Sequence, residues 1–441
     1  MGNGGGIANE RREAWGAMTL FDLGPAETTT KARPSSQRYN SLTFVATLWA
    51  ILLPMTALTF GPDIAPGDVL LPIAALIGIV TLAISNPTVF GHISAIVIVL
   101  ALVYSAVALA AGINASDTEE STLNTIKLFV SLACALIVLM ALAWVGGPNA
   151  SHRVMMGYVM GSCILAISTW VSPAEVANRH VGLAGHPVEV GGTLSVAAAY
   201  LAFWQTRSKG LLAAKLLGLA VLASGFLRAE TLTGPVTVAL ACLATAVLGA
   251  RLHLKGAVTF VVAGFMAGWL FISTSAGAEL FRKLRNATNL NLGSSSDSTL
   301  NERFLTMIAG IEKAVKHPLA GNGIDTSGMT AIGRLAPHNV LILAWQSGGV
   351  LLLMVYALLC VATFFCVMRL RRASDQLLLL PLAASAVASW LAAFSGPQLL
   401  QRTWLLPIIA LLACSVVVAR SETGSVQRRP QRIGKPSAQL R

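Results

Sequence analysis

The residue best suited to proton transfer in this sequence is His338. It stands in Ala336-Pro337-His338-Asn339, directly before a long apolar run. An imidazole at such a junction is close to water yet partly desolvated, which is the setting in which histidine acts as a general base near neutral pH. An interfacial histidine that merely anchors the end of a helix would occupy the same position. Taken alone, the residue leaves both interpretations open.

Two arginines flank this histidine in the sequence. Arg303 precedes it by 35 positions and Arg334 by four. A guanidinium group is planar, always charged and able to grip two phosphate oxygens at once, so both side chains are candidate phosphate ligands. The alternative is a solvated surface charge, which for Arg334 alone is the simpler interpretation.

A second group of polar residues lies upstream in one short loop. Arg179, His180 and His186 crowd this loop, together with two glycines that let the backbone bend back. The loop is equally compatible with a site and with a solvated surface. Arg228 closes the next turn, where it could instead pair with Glu230.

The sequence contains no recognisable cofactor or metal motif. It has no Walker A, HExxH or GxSxG pattern, and none of its six cysteines forms a CxxC pair. All six lie in apolar segments, where buried thiols behave as small hydrophobic groups. We therefore predict no cofactor, no metal site and no disulfide framework.

These residues must be positioned by membrane helices. The 441 residues are 55% hydrophobic and only 11% charged, whereas soluble domains carry about 25% charged residues. Inside a bilayer the backbone must satisfy its own hydrogen bonds, so we predict an all-α polytopic membrane protein. Twelve apolar runs are candidate transmembrane helices: 43–60, 69–84, 93–111, 123–145, 154–171, 189–205, 211–227, 232–250, 256–275, 348–368, 376–394 and 403–419.

The distribution of positive charge predicts the orientation. With the N-terminus in the cytoplasm, the inside segments carry 19 Lys and Arg residues and the short outside loops carry 3. Such an excess is typical of cytoplasmic loops. The net charge of +12 then faces anionic membrane lipids, and a nucleic-acid partner is not expected.

One large loop, 276–338, is predicted on the outer (periplasmic) side between the ninth and tenth spans. Leu300, Phe304, Ile308, Ile311 and Val315 repeat at helical spacing within it, so we expect a helix whose apolar face packs on the membrane surface or on the mouth of the bundle. The predicted organisation is a disordered cytoplasmic tail (1–40), helices 1–9 (41–275), the outer loop (276–338), an interfacial helix with helices 10–12 (339–419), and a basic cytoplasmic tail (420–441).

From Arg303 onward the chain resembles the superfamily of O-antigen ligases and Wzy-type polysaccharide polymerases. The resemblance consists of an arginine at the start of the loop helix, a Pro-Leu-x-Gly-x-Gly turn at 318–323, and His338-Asn339 followed by Gly349. The upstream segment with Arg179 and His186 is similar to the family's upstream arginine segment. The predicted topology of about twelve spans also agrees.

The resemblance implies a glycosyltransferase in the bacterial cytoplasmic (inner) membrane. The donor would be an undecaprenyl-diphosphate-linked glycan, the acceptor a glycan or lipid, and the reaction inverting and independent of metal. His338 would act as the general base. Four arginines would hold the diphosphate: Arg303, Arg179, Arg228 and Arg334. Two further side chains, His186 and Asn339, would contact the substrate.

Two alternatives remain at this stage. A secondary transporter or a flippase for lipid-linked glycans would need polar residues at the midplane of the membrane, and only Lys127 hints at that. Within the glycosyltransferase interpretation, the residues do not distinguish a ligase from a polymerase.

Overall fold

Helices dominate the fold. The structure, a computed structural model, describes residues 36–58, 65–172, 174–176, 179–206, 208–231, 233–248, 299–332, 335–370, 376–397 and 399–427. The described helices are α1 (Ser36–Leu52), α2 (Pro66–Ser85), α3 (Pro87–Asn114), α4 (Thr118–Gly146), α5 (Pro148–Val171), α6 (Pro187–Phe203), α7 (Lys209–Arg228), α8 (Thr233–Leu248), α9 (Thr299–Lys316), α10 (Thr326–Met329), α11 (Val340–Arg369), α12 (Gln376–Ser395) and α13 (Leu405–Gln427). Residues Pro34–Ala419 form one compact unit.

Eleven of the twelve predicted apolar segments coincide with a helix. Six of these helices are long and apolar enough to cross a membrane, namely α2, α3, α4, α5, α7 and α11, and five more are shorter apolar helices. This is the make-up of an all-α membrane protein. The predicted ninth segment, 256–275, lies outside the described residues, and the number of crossings stays a prediction.

One helix boundary and one loop differ from the prediction in ways that affect the site. The helix α1 ends at Leu52, eight residues before the predicted end of the first segment, because Pro54 cannot continue the hydrogen-bond ladder. The chain also contains a two-stranded antiparallel ribbon, β1 (Glu175–Val176) and β2 (Arg179–His180). The sequence did not predict this ribbon, which lies in the loop between α5 and α6.

The helix ends near the candidate residues meet at one end of the bundle, here called the site end. Thr56, after α1, donates to the Glu189 carboxylate in the first turn of α6 with a distance of 2.7 Å, and Gln401, before α13, donates to the same carboxylate at 2.7 Å. Asp68 at the start of α2 forms an ion pair with Arg402. These contacts join four turns that are distant in sequence.

The helix α11 is interrupted at Gly349, which has φ 68° and ψ −166°. In a regular helix the Val350 amide would donate to the Gln346 carbonyl. Here Val350 N–H donates instead to Pro318 O at 3.0 Å, and Gln346 O accepts from the Asn322 amide at 2.8 Å. The segment 318–323 therefore completes the broken ladder of α11. The two helical parts of α11, which cover the predicted interfacial helix and the predicted tenth span, meet at a kink at Gly349.

The same segment is fixed to the turn between α3 and α4 by a buried carboxylate. Asp325 accepts hydrogen bonds from the Ser116 hydroxyl at 2.7 Å and from the Asp117 amide at 2.8 Å. Burial raises the pKa of this carboxyl, but the hydrogen bonds that it accepts outweigh burial and leave the pKa below its usual value. Asp325 therefore stays ionised and anchors the chain between α9 and α11.

Replacing Gly349 tests this arrangement. A Cβ at this position would collide with the carbonyl of Leu319, and its backbone conformation is one that non-glycine residues rarely adopt. We expect Gly349→Ala to lower the free energy of unfolding by about 1–3 kcal/mol, measured as a lower melting temperature of the purified protein. Gly91→Ala is the matched control, since nothing lies within 4 Å of the added Cβ. Equal melting temperatures for both variants would contradict the arrangement.

Candidate functional site

Four of the predicted residues lie together at the site end. The charges of Arg303 and His186 act on the His338 ring, and the charge of Arg179 acts on both Arg303 and His186. Each residue comes from a different element: β2, the N-terminus of α6, the first turns of α9 and the residues before α11. The fold thus gathers two guanidinium and two imidazole groups, here called the cationic pocket.

His338 is positioned by the start of α11. The neighbouring Asn339 caps this helix, since its side-chain oxygen accepts from the Leu341 amide at 3.0 Å and from the Ile342 amide at 3.2 Å. The oxygen of Asn339 is thereby committed to the helix, whereas the sequence predicted a contact with substrate. That role of Asn339 stays a prediction.

The ring of His338 also contacts Thr306 on α9, with 3.5 Å between Nδ1 and the hydroxyl oxygen. The Thr306 hydroxyl donates its single proton to the carbonyl of Arg303 at 2.8 Å. While the hydroxyl keeps this bond, its oxygen accepts from His338, and the ring proton is then on Nδ1. The lone pair is then on Nε2, which is the nitrogen able to take a proton from a ligand.

The surroundings hold His338 in its neutral form. Burial lowers the pKa of this imidazole to about 4, with further contributions from the positive charge of Arg303 and from His186. The neutral ring can accept a proton at pH 7. An anion bound in the cationic pocket would offset the charge of Arg303 and raise this pKa, so the basicity of His338 is coupled to ligand binding.

Arg303 is half-buried and faces the second guanidinium. Burial lowers the pKa of Arg303, the charge of Arg179 lowers it further, and Glu302 partly compensates. The group remains charged, because arginine cannot be deprotonated in proteins. Its buried Nε has no hydrogen-bond partner among the described residues. Two like charges with an unused donor form a setting that an anion would stabilise.

His186 caps the N-terminus of α6. Its Nδ1 accepts from the Val188 amide at 3.2 Å, so the proton of the neutral ring is on Nε2. Burial lowers the pKa of His186, the nearby Glu189 raises it and Arg179 lowers it. Neutral His186 therefore presents an N–H donor, as its predicted role in substrate binding requires.

The other predicted ligands of the diphosphate are placed differently. The guanidinium of Arg228, at the end of α7, lies over the ring of Trp170 at 5.4 Å from the centroid, and its Nε is buried without a hydrogen-bond partner among the described residues. Arg334 lies outside the described residues. The roles of both arginines stay predictions.

Three residues that contact the site residues or fix the chain beside them were not predicted from the sequence. Thr306 was hidden in the apolar repeat of α9, although it lies one turn after Arg303. Glu189 accepts from Gly185 at 3.1 Å and so fixes the loop that carries His186. Gln346 donates to the carbonyls of Gly328 at 2.7 Å and Thr330 at 2.9 Å. For Gln346, the sequence offers one indication of a structural role, namely an amide side chain among mostly apolar residues.

Chemically, the arrangement combines an anion site with a neutral base. Within the ranges that the structure describes, no group of three His, Cys, Asp or Glu side chains is placed to hold a metal ion. Compared with known protein families and with curated proteins, the chain matches none of them. The cationic pocket and His338 are therefore the features of this chain that point to a function.

Removing the charge of Arg303 should raise the pKa of His338. In Arg303→Gln the protonated imidazole is no longer repelled by the guanidinium. Burial remains the largest cause of the shift, so the pKa should stay below about 6.5, the ordinary value for histidine. Titration of histidine resonances by NMR would measure it, with Lys316→Gln, an exposed charge on the same helix, as the control. An unchanged pKa would refute the proximity of Arg303 and His338.

Proposed function

We propose that this protein is a membrane glycosyltransferase whose donor is an undecaprenyl-diphosphate-linked glycan. The observation that carries this proposal is the cationic pocket, in which Arg303 lies close to a neutral His338 and Arg179 lies close to Arg303. Diphosphate is the kind of anion that paired guanidinium groups bind best. A neutral imidazole beside it is the group needed to deprotonate an acceptor hydroxyl.

Binding of the diphosphate relieves the repulsion between the two guanidinium groups. In the transition state the bond between the anomeric carbon and the diphosphate oxygen breaks, and negative charge grows on that oxygen. Fixed positive charges in a water-poor site stabilise this charge without having to reorganise. Arg303, which is half-buried with an unused Nε, is the stronger contributor, and Arg179 is the second.

The proton of the acceptor hydroxyl passes to Nε2 of His338. As the hydroxyl oxygen forms its bond to the anomeric carbon, His338 becomes an imidazolium and the diphosphate leaves with its electron pair, which inverts the configuration at the anomeric carbon. The bound diphosphate raises the pKa of His338 above its value of about 4 in the free protein. Deprotonation thus becomes favourable only when the donor is in place.

The location follows from the distribution of charge. The 19 Lys and Arg residues of the inside segments against 3 in the short outside loops support cytoplasmic termini and an outward-facing site end. This places the reaction at the outer face of the bacterial cytoplasmic membrane, within a bundle of about twelve spans. The acceptor is a glycan or a lipid, so both polymerase and ligase remain open.

A second candidate is a flippase or secondary transporter. The break in α11 at Gly349 favours it, because interrupted helices are typical of transporters. In this chain, however, the backbone groups of Val350 and Gln346 freed by the break bond to the segment 318–323. The glycosyltransferase proposal therefore has the stronger support.

Substitution of His338 separates the two candidates. We expect His338→Ala to reduce glycan transfer by about 10²–10⁴-fold, the usual contribution of a general base, while donor accumulates on the outer leaflet. The measurement is transfer of glycan from lipid-linked donor in membranes, with quantification of the donor that remains. His317→Ala, an exposed histidine of the same loop, should transfer normally.

Two results would count against the proposal. Full transfer by His338→Ala would remove its role as the base. Donor trapped on the inner leaflet would favour the flippase.

Thr306 provides a finer test of the base. Thr306→Val removes the oxygen that accepts from Nδ1, so the ring loses the partner that keeps the lone pair on Nε2. We expect a fall in kcat of about tenfold or more, following the importance of such orienting groups. Thr306→Ser retains the hydroxyl and should restore activity. If valine and serine behave alike, the contact does not orient the ring.

A further inference from the structure

The side of α9 that carries its large apolar residues is exposed. Phe304, Ile308, Ile311 and Val315 lie on it, and Phe304 is 55% and Val315 59% exposed. The face that packs against the protein contains instead the small residues Thr306, Gly310 and Ala314. The apolar face predicted for this helix is therefore not packed against the described part of the bundle.

The helix has three distinct sides. At about 100° per residue, Phe304, Ile308, Ile311 and Val315 fall within a strip roughly 60° wide. A further exposed apolar residue, Leu305, lies outside this strip on the side of Glu312 and Lys316. The buried residues lie on one side of this strip. Exposed Glu312 and Lys316 lie on the other side. A helix with protein on one side, charge on another and an apolar strip between them fits the surface of a membrane, where water and hydrocarbon meet.

The length of the apolar part of α11 supports the same conclusion. From Val350 to Arg369 the helix α11 has twenty residues, which span about 30 Å, the thickness of the hydrocarbon layer. No charged residue lies between these two positions. Gly349 therefore marks one boundary of that layer when Arg369 marks the other.

Leu319 lies at this boundary. Its carbonyl contacts the position that a Cβ would take at Gly349, and its side chain is 72% exposed. The indole of Trp345 donates to the neighbouring Pro318 carbonyl at 3.2 Å, and tryptophan is enriched at membrane–water interfaces. Since α9 ends at Lys316, only three residues before Leu319, the C-terminal end of the apolar strip, at Val315, is close to the same level.

We infer that the apolar strip of α9, together with Leu319, inserts into the outer leaflet of the lipid bilayer. The helix then lies along the membrane surface with Glu312 and Lys316 turned to water. This docking depends on the lipid chains alone and does not require the proposed glycosyl transfer.

The inference is tested in the full-length protein in nanodiscs of phosphatidylethanolamine and phosphatidylglycerol. An environment-sensitive fluorescent amino acid is placed at Ile311 in one variant and at Lys316 in another. Lipids with a doxyl group near the carbonyl should quench the probe at Ile311 several times more strongly than the probe at Lys316. Iodide in the water should show the opposite order.

Each other outcome overturns the inference. Equal quenching by iodide at both positions would mean that the strip is in water. A probe at Ile311 shielded from both quenchers would mean that protein covers the strip. Val315, on the same strip, offers an independent position should the Ile311 variant fail to fold.

Discussion

The geometry of the site depends on one repair of backbone hydrogen bonding. A membrane helix cannot leave amides and carbonyls unpaired, because each such group costs several kcal/mol in hydrocarbon. The interruption of α11 at Gly349 frees groups of this kind, and segment 318–323 satisfies them. The loop is therefore held against α11 at its middle, while Asp325 holds it to the turn before α4. The chain between α9, which carries Arg303, and α11, which follows His338, is fixed as a result.

Electrostatics in the cationic pocket oppose folding and favour binding. Two guanidinium groups that repel each other lower the stability of the empty protein, and partial burial of Arg303 adds to the cost. An anion that neutralises them recovers this free energy on binding. Burial and, to a smaller extent, the same charge hold His338 neutral. Proton affinity and anion affinity are therefore coupled through Arg303 and His338.

The helices could be predicted from the sequence to a large extent, because long apolar runs have few other structures available in a membrane. The convergence of Arg179, His186, Arg303 and His338 was expected only from resemblance to a family, since no periodicity relates residues so far apart. Contacts between distant residues could not be predicted from the sequence. The role of Thr306 depends on which carbonyl accepts its proton. The ribbon at 175–180 has strands of only two residues each, which are too short to give a sequence pattern. Pro54 indicates that α1 ends near Leu52. The predicted boundary at residue 60 instead followed the apolar run, which continues past Pro54.

The four side chains of the cationic pocket are not anchored equally. His186, Arg303 and His338 stand at or within helix ends, whereas Arg179 belongs to the two-residue strand β2. Local opening is least costly where few backbone hydrogen bonds must break. The backbone of the ribbon therefore opens at a lower cost in free energy than the backbone of α9 or α11. Of the four side chains, Arg179 therefore has the position that can change at the lowest cost in backbone hydrogen bonds.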